Sequence, residues 1–380
     1  MIRRSTIPRI RPYLLGALLV AVCLALLVAG TRPARAAAEP PRLPAPTGRY
    51  PVGMTPMHLV DEDRADPWKP EVRRELMVSL WYPAVPNGRH SPYIGAKASA
   101  AYIADVGLPV EPDILSRVET HAYDRAIALP GRRPLVVLSP GGGLPRASLS
   151  SLAEELASRG YVVAGIDHPY EATAVELPGG RLAGCLVCEL DFSRELGAKV
   201  SQGRAKDAGF VLDRLTGGRL WPGAPMIDKN RVGMGGHSLG GASSATTMLT
   251  DSRVDAGVNL DGTFFEPVPT RGVDRPFLMM GGKPHEPGTE DETWEQTWSQ
   301  LTGPRRWLQV PTADHMSFSD WMLLGEQLGV PPQPDTIGGV RGMQITRAYV
   351  AAFFDRHLRG RDAPLLDAPS PTYPEVTFRG

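Results

Sequence analysis

The sequence is poor in cysteine and has no excess of charge of either sign. Three cysteines among 380 residues are too few for a small scaffold held together by disulfides. Lysine and arginine number 41 together, as do aspartate and glutamate, so a nucleic-acid binder with a cationic face is not expected. The chain is 42% hydrophobic and 22% charged, which excludes an intrinsically disordered protein and allows one sizeable core.

The first 36 residues have the order of a secretory signal. Four arginines precede an apolar run from Tyr13 to Val28, and small residues follow, with a cleavage site expected near Ala36–Ala38. The run is shorter than the ~20 residues of a membrane span. We therefore predict a secreted protein, with an uncleaved N-terminal anchor as the alternative. Six of the 41 basic residues and no acidic residue lie in this segment, so the mature chain is mildly acidic.

After the signal, residues 37–50 are rich in Pro and Ala and are predicted to form a tether, and residues 51–380 a single domain. In this domain, apolar runs typical of buried strands alternate with helix-like stretches. The strand-like runs are Leu76–Tyr82, Leu135–Ser139, Tyr161–Ile166, Val232–Met234, Ala256–Leu260, Pro276–Met280 and Trp307–Val310. The helix-like stretches are Ser148–Arg159, Arg194–Leu215, Leu239–Leu249, Asp291–Leu301 and Val340–Leu358. This alternation predicts an α/β fold with a mostly parallel sheet and helices on both faces.

Other segments of the domain depart from this alternation. The extended segments before residue 90 have no helix between them, so we expect antiparallel strands at one edge of the sheet. Asp167–Ser193 and Pro331–Gly339 are predicted to be irregular. Long loops of this kind in compact domains are often functional.

A nucleophile motif lies between a strand-like run and a helix-like stretch. Gly236-His237-Ser238-Leu239-Gly240 has the pattern G-x-S-x-G, which is typical of a sharp strand-to-helix turn that exposes a serine. Side chains at Gly236 and Gly240 would collide with the neighbouring strand and helix. We predict Ser238 to be the nucleophile. The alternative is a glycine-rich turn with an unreactive serine.

A serine nucleophile needs a histidine base and an acid that orients it. His315 follows the last strand-like run and is preferred over His285, which lies in a turn, and over His357, which lies in the C-terminal helix. Asp261 ends the strand after the nucleophile helix and is the predicted acid. Glu286, after the next strand, is the alternative.

The oxyanion hole is expected to use two main-chain amides. One is that of Leu239, directly after the nucleophile, and the other comes from the loop after an early strand. Gly141, Gly142 and Gly143 form that loop, and Gly142 is the predicted donor with its two neighbours as alternatives. No Gly-Lys-Ser/Thr follows, so the loop is not a phosphate-binding P-loop.

These motifs together resemble a known family, the platelet-activating factor acetylhydrolases of the plasma type. The segments that carry the resemblance are Ser139-Pro-Gly-Gly-Gly143, Gly236-His-Ser-Leu-Gly-Gly241, Leu260-Asp-Gly262 and Asp314-His-Met-Ser-Phe-Ser-Asp320, and similarity extends over most of residues 50–360. The family consists of serine-dependent, metal-independent α/β-hydrolases that cleave short or oxidised acyl chains from phospholipids. Its acid follows the strand after the nucleophile helix, as Asp261 does. Family members usually have His where Pro140 stands and Leu where Gly142 stands.

The resemblance implies a secreted carboxylic-ester hydrolase of the α/β-hydrolase fold that forms an acyl-enzyme and needs neither metal nor cofactor. The substrate implied is a lipid ester, of the 1-alkyl-2-acetylglycerophosphocholine type. A triacylglycerol lipase or cutinase-like polyester hydrolase is the alternative, and a non-catalytic lipid-binding relative is an alternative of another class. A transient contact with a lipid surface is expected, and no nucleic-acid or protein partner is implied.

Two further features concern the loops. Cys185 and Cys188 are predicted to be either a disulfide within the long loop or two free thiols. The segment Trp321–Leu324, shortly after His315, is predicted to line an acyl pocket or to touch a lipid surface, with a core-facing turn of helix as the alternative.

Overall fold

A ten-stranded sheet forms the centre of the chain. The computed structural model describes residues 39–218, 220–266, 272–288 and 291–379, so the predicted signal in residues 1–36 lies outside the described part. The strands are β1 (Val52–Ala65), β2 (Arg73–Pro83), β3 (Tyr123–Asp124), β4 (Arg133–Ser139), β5 (Val162–Asp167), β6 (Ala174–Leu177), β7 (Arg181–Gly184), β8 (Ile227–His237), β9 (Val254–Leu260), β10 (Phe277–Gly281), β11 (Arg305–Gln309) and β12 (Thr377–Arg379). In space the sheet has the order β12-β11-β10-β9-β8-β4-β5-β2-β1-β3.

The middle of the sheet is parallel and its edges are mostly antiparallel. All neighbouring pairs from β11 to β5 run parallel. β2 pairs antiparallel with both β5 and β1, and β12 pairs antiparallel with β11 at the other edge. The α/β prediction is therefore confirmed, and so are the antiparallel strands expected before residue 90. Each predicted strand overlaps a strand of this sheet.

Helices cover both faces of the sheet. They are α1 (Ala96–Val106), α2 (Ser150–Ser158), α3 (Arg194–Thr216), α4 (Leu239–Thr250), α5 (Thr293–Gln300), α6 (Asp320–Gln327) and α7 (Gly339–Arg359). Leu152 of α2 and Phe353 of α7 pack with Val136 in one buried cluster. Leu212 of α3 and Met248 of α4 pack in a second cluster, which contains other residues of the same central strands. The central strands are therefore buried on both faces, which explains their nearly continuous apolar sequence.

The segment before β1 packs against the domain wherever it is described. Leu43 is 2% exposed. Thr47 donates a hydrogen bond from Oγ1 to Glu155 at 2.5 Å, and Arg347 donates to the Pro44 carbonyl at 3.1 Å. Residues 40–50, most of the predicted tether, therefore lie in the same compact unit as the strands and helices that follow.

The two segments predicted to be irregular differ in the structure. Asp167–Ser193 contains the antiparallel hairpin of β6 and β7 and a disulfide between Cys185 and Cys188. Of the two outcomes left open for the cysteines, the structure has the disulfide. The stretch 331–338 has no helix or strand and leads into α7. None of the described helices is both long and apolar enough for a membrane span.

Candidate active site

The candidate nucleophile occupies the turn between β8 and α4. Ser238 has φ 54° and ψ −122°, a strained conformation for a residue with a side chain. The close approach of the main chain explains the glycines around it. A Cβ atom at Gly236 would lie 2.3 Å from the Ser139 carbonyl oxygen, and one at Gly240 would lie 2.0 Å from the same atom. The fold therefore leaves no room for a side chain at either glycine, as the motif predicts.

The turn that carries Asp261 lies against this elbow. Asp261 directly follows β9 and also has a positive φ, 56°. The Ser238 amide donates to the Leu260 carbonyl at 2.8 Å, so the residue before Asp261 is bonded to the nucleophile's main chain. Buried Asn259 closes the turn, because its side chain donates to the Gly262 carbonyl at 2.7 Å and accepts from the Gly262 amide at 2.9 Å.

His315 reaches Asp261 from a short 3-10 turn, His315–Phe318, that follows β11. Its Nδ1 lies 2.5 Å from Oδ2 of Asp261. The His315 side chain is 41% exposed, whereas that of Asp261 is 1% exposed. Asp314 does not orient the imidazole. Its carboxylate instead caps the turn by accepting from the Met316 amide at 2.9 Å.

The surroundings of Asp261 favour the charged carboxylate. The Gly282 amide donates to Oδ1 at 2.6 Å, and Nε2 of His285 lies 3.7 Å from the same oxygen. Burial raises the pKa of Asp261, whereas the hydrogen bond with His315 and the proximity of His285 lower it. The lowering effects together are larger, so the pKa of Asp261 lies below its usual value. An ionised Asp261 holds a proton on Nδ1 of His315 and leaves Nε2 free to accept another.

The alternative acid lies elsewhere. Glu286 is 3.8 Å from Arg379, in an ion pair at the end of β12. His285, the alternative base, is buried, stacks on Trp294 at 4.5 Å and lies 3.0 Å from Asp291. His357 lies on α7, as predicted, with its ring 4.7 Å from that of Phe353. His315 and His285 both approach Asp261, but His315 forms the short side-chain hydrogen bond, whereas His285 lies 3.2 Å from the main-chain oxygen of Asp261.

His237, the residue before Ser238, has a role that the sequence does not reveal. It is fully buried, and its Nε2 lies 2.8 Å from the His315 carbonyl oxygen, with the two rings 4.6 Å apart. Burial and the neighbouring His315 lower the pKa of His237 to about 3, so it is neutral and donates this hydrogen bond. His237 thus ties the His315 main chain to the elbow. The motif leaves this position open, so no sequence signal marks it.

The geometry of the glycine loop favours Gly142 as an oxyanion donor over Gly143. The Gly143 amide donates to the Glu171 carbonyl at 2.9 Å. The Leu144 amide donates to the Gly141 carbonyl at 3.3 Å. Because the C=O and N–H of a trans peptide point in opposite directions, the Gly142 amide points away from this internal bond. A Cβ at Gly142 would lie 2.7 Å from the Leu239 side chain, so the two residues predicted to supply the amides lie next to each other in space.

An apolar cavity of about 360 Å³ lies beside His315. Asp314 and Met316, the residues on either side of His315, line one part of it. Tyr102 of α1 and Trp321 of α6 line another part, with their rings edge to face at 5.3 Å. Trp321 therefore lines an apolar cavity, and its contact with an acyl chain stays a prediction. Among the described residues, no group of three or more His, Cys, Asp or Glu side chains is arranged to hold a metal ion.

Comparison with known proteins supports one family. The family described as platelet-activating factor acetylhydrolase, isoform II, matches residues 40–176. A protein of Arthroderma benhamiae named "Probable 1-alkyl-2-acetylglycerophosphocholine esterase" is 31% identical over 270 residues. The platelet-activating factor acetylhydrolase of Cavia porcellus is 24% identical over 264 residues. The chain is thus similar to the platelet-activating factor acetylhydrolases of isoform II over much of its length.

The two curated relatives are aligned over only part of their length. The alignment with the Arthroderma benhamiae protein covers 64% of this chain and 66% of that protein. The alignment with the Cavia porcellus protein covers 59% of this chain and 57% of that protein, so the chain spans less than two thirds of either relative. A solved structure, "Ferulic acid esterase from Streptomyces cinnamoneus", matches over 90% of this chain and 100% of that one, with 45% identity and a TM-score of 0.81. With these relatives and this full-length match, the chain is a carboxylic-ester hydrolase of the α/β-hydrolase fold.

Proposed function

We propose that this enzyme hydrolyses esters through an acyl-enzyme on Ser238, with His315 as general base and acid and Asp261 as the residue that orients it. The observation that carries this proposal is the 2.5 Å hydrogen bond between Nδ1 of His315 and buried Asp261. The Ser238 amide donates to the carbonyl of Leu260, next to Asp261, and the side chain of His237, next to Ser238, bonds the His315 carbonyl, so both residues are tied to a strained elbow. This is the arrangement by which a base activates a serine hydroxyl.

The chemical steps follow from this geometry. Ser238 Oγ attacks the ester carbonyl carbon while His315 Nε2 takes its proton. The amides of Leu239 and Gly142 donate hydrogen bonds to the carbonyl oxygen as it becomes negative. The protonated imidazole then gives its proton to the leaving alcohol. Water attacks the acyl-enzyme by the same route, which releases the acid and restores Ser238.

For the substrate, we propose an ester with a short acyl chain and an apolar alcohol part, as in 1-alkyl-2-acetylglycerophosphocholine. The Arthroderma benhamiae relative's name and the family support this class. The apolar cavity supports it too, because its lining includes Asp314 and Met316 on either side of His315 and would bury an apolar alcohol part. Contact with a lipid surface during catalysis belongs to the same proposal.

An aromatic ester is the second candidate substrate. Tyr102 and Trp321 present a pair of aromatic rings in the cavity, and the solved structure that matches along its whole length is named a ferulic acid esterase. In this case the cavity would hold the acyl part, and the ring of a feruloyl group would stack against these side chains. A lipid chain would instead use the aliphatic part of the lining, which includes Leu324 and Leu328.

A substrate panel tests the mechanism and separates these classes. Purified enzyme and Ser238→Ala are assayed on p-nitrophenyl acetate, a short-chain phospholipid, a triglyceride, a polyester and methyl ferulate. We expect the highest kcat/KM on the phospholipid and no turnover above background by Ser238→Ala. The highest kcat/KM on methyl ferulate would instead select the aromatic class. Turnover that survives Ser238→Ala would refute the mechanism.

We also propose that the enzyme is exported. The predicted signal in residues 1–36 motivates this, and the Cys185–Cys188 disulfide suits an oxidising compartment. Expression of the full chain in a secretion-competent host should yield extracellular enzyme with a new N-terminus near Ala36–Ala38, as read by N-terminal sequencing. Enzyme that stays with the membrane fraction and keeps residue 1 would favour an uncleaved anchor.

A further inference from the structure

A cluster of buried charged residues lies directly behind the glycine loop of the oxyanion hole. We call it the Arg204 cluster. Its members are Arg74, His168, Glu171, Arg204 and Asp207, and each is at most 2% exposed. Buried charges are costly unless they are paired, so their contacts show what the cluster holds in place.

Arg204, on α3, connects this cluster to the start of the loop. Its Nη1 donates to the Pro140 carbonyl at 2.5 Å and to Ser139 Oγ at 3.3 Å. Its Nε donates to Glu171 Oε2 at 2.7 Å. The planar guanidinium thus spans a carboxylate and a main-chain carbonyl at once, which the single ammonium group of a lysine does less well.

Glu171 connects the cluster to the end of the same loop. Its main-chain carbonyl accepts from the Gly143 amide at 2.9 Å, while the Thr173 amide donates to the Gly143 carbonyl at 3.0 Å. The side chain of Glu171 holds Arg204, and the Trp68 indole also donates to it at 2.8 Å. One ion pair therefore joins both ends of the glycine loop.

His168, which is itself bonded to Asp207, contacts Ser139. Nε2 of His168 lies 3.0 Å from Ser139 Oγ, and Nδ1 lies 2.7 Å from Asp207. These residue types repeat those of the candidate triad, but all three are buried, and Asp207 is also paired with Arg74 at 2.5 Å. A substrate has no access to them. Their contacts orient the side chain of Ser139, which ends β4 just before the glycine loop.

We propose that Arg204 and Glu171 are positioning residues for the oxyanion hole; the inference rests on the proposed function. Holding the Pro140 carbonyl and the Gly143 amide fixes the peptide units on either side of the Gly141–Gly142 unit. That central unit carries the Gly142 amide. Three consecutive glycines would otherwise sample many conformations, because glycine lacks a Cβ. The ion pair thus supplies the rigidity that a preorganised donor needs.

The test compares Arg204→Met and Arg204→Lys with Arg347→Lys. Arg347 is a matched control, because it is also buried and donates to a carboxylate and to main-chain carbonyls, but far along the chain from the glycine loop. We expect Arg204→Met to lower kcat about 10- to 100-fold with little change in KM, since the loop acts on the transition state. Arg204→Lys should recover part of this loss, and Arg347→Lys should stay within about threefold of wild type.

Inhibitor affinity gives a readout that a general structural defect would not reproduce. A boronic acid that forms a tetrahedral adduct with the serine should lose affinity in Arg204→Met by about the same factor as kcat/KM. Binding of the planar product acid should change little. Glu171→Gln serves as a second variant if Arg204→Met does not fold, and we expect it to lower kcat about 3- to 10-fold.

The outcomes separate this inference from the proposed function. Unchanged kcat in folded Arg204→Met, with Ser238→Ala inactive, would overturn the positioning role and leave the function standing. An equal loss in Arg347→Lys would also overturn it, because the effect would then be a general one. Turnover by Ser238→Ala would overturn the proposed function and this inference with it.

Discussion

Replacing Asp261 by Asn removes one charge from the candidate triad while keeping the shape of the side chain. In the structure the carboxylate accepts from the Gly282 amide at 2.6 Å and lies 2.5 Å from Nδ1 of His315. An Asn in the same position would use its oxygen for Gly282 and turn its NH₂ group toward His315. The imidazole would then accept at Nδ1 and carry its proton on Nε2, where it could not take the proton of Ser238.

The expected loss is large because the tautomer is wrong and the charge that stabilises the imidazolium is gone. We expect kcat to fall about 10³- to 10⁴-fold, which corresponds to roughly 4 to 5.5 kcal/mol in the activation free energy. KM should change little, since Asp261 is 1% exposed and does not face the substrate. The thermal unfolding of the variant should remain cooperative.

The assay is turnover of p-nitrophenyl acetate, with Glu286→Gln as the matched control. Glu286 is the alternative acid, and it lies 3.8 Å from Arg379 at the end of β12, so its loss should leave kcat within about threefold of wild type. Asp261→Asn with kcat within about tenfold of wild type, beside an inactive Glu286→Gln, would refute the assignment of the acid.

Four other substitutions test packing, pH dependence and specificity. In urea unfolding, Gly236→Ala should lower the free energy of unfolding by several kcal/mol, because its Cβ would lie 2.3 Å from a carbonyl oxygen. Gly203→Ala, on α3 with open space around it, should raise the free energy of unfolding by about 0.5–1 kcal/mol. Burial raises the pKa of Glu154 to about 7 from 4.5, so the folded state retains a proton that the unfolded chain releases, and stability is lost as pH rises between these values. The free energy of unfolding of Glu154→Gln should therefore rise by about 3 kcal/mol relative to that of wild type between about pH 5 and pH 8. A difference between the two proteins that does not change with pH would contradict this. Trp321→Ala should raise KM about tenfold for esters of large apolar alcohols and leave that for methyl acetate unchanged, and equal changes for both would argue against the cavity as a subsite.

Much of the candidate site follows from local sequence. The glycines around Ser238 are required by contacts that any such turn imposes, so the elbow can be predicted from its motif. Asp261 and His315 follow from chain order, because the carboxyl ends of parallel strands meet at one edge of the sheet. The Ser139–Gly143 segment is marked by its glycines.

Other parts depend on contacts between residues far apart in the sequence. His237 binds the His315 carbonyl 78 positions away, and Arg204 binds the Pro140 carbonyl 64 positions away, so neither has a local pattern. The sequence does not predict α1, whose buried face is small and includes Ala98, Ser99 and Tyr102. It also does not predict the β6–β7 hairpin, which is a two-stranded sheet apart from the main one.

In the proposed mechanism Ser238 forms the acyl-enzyme, and covalent labelling shows whether this serine is the reactive one. A fluorophosphonate reacts with the activated serine of an enzyme of this mechanism, and peptide mass spectrometry then locates the adduct. We expect one stoichiometric adduct on Ser238, complete loss of esterase activity, and protection by excess substrate. An adduct on another residue, or full activity in protein labelled at Ser238, would contradict it.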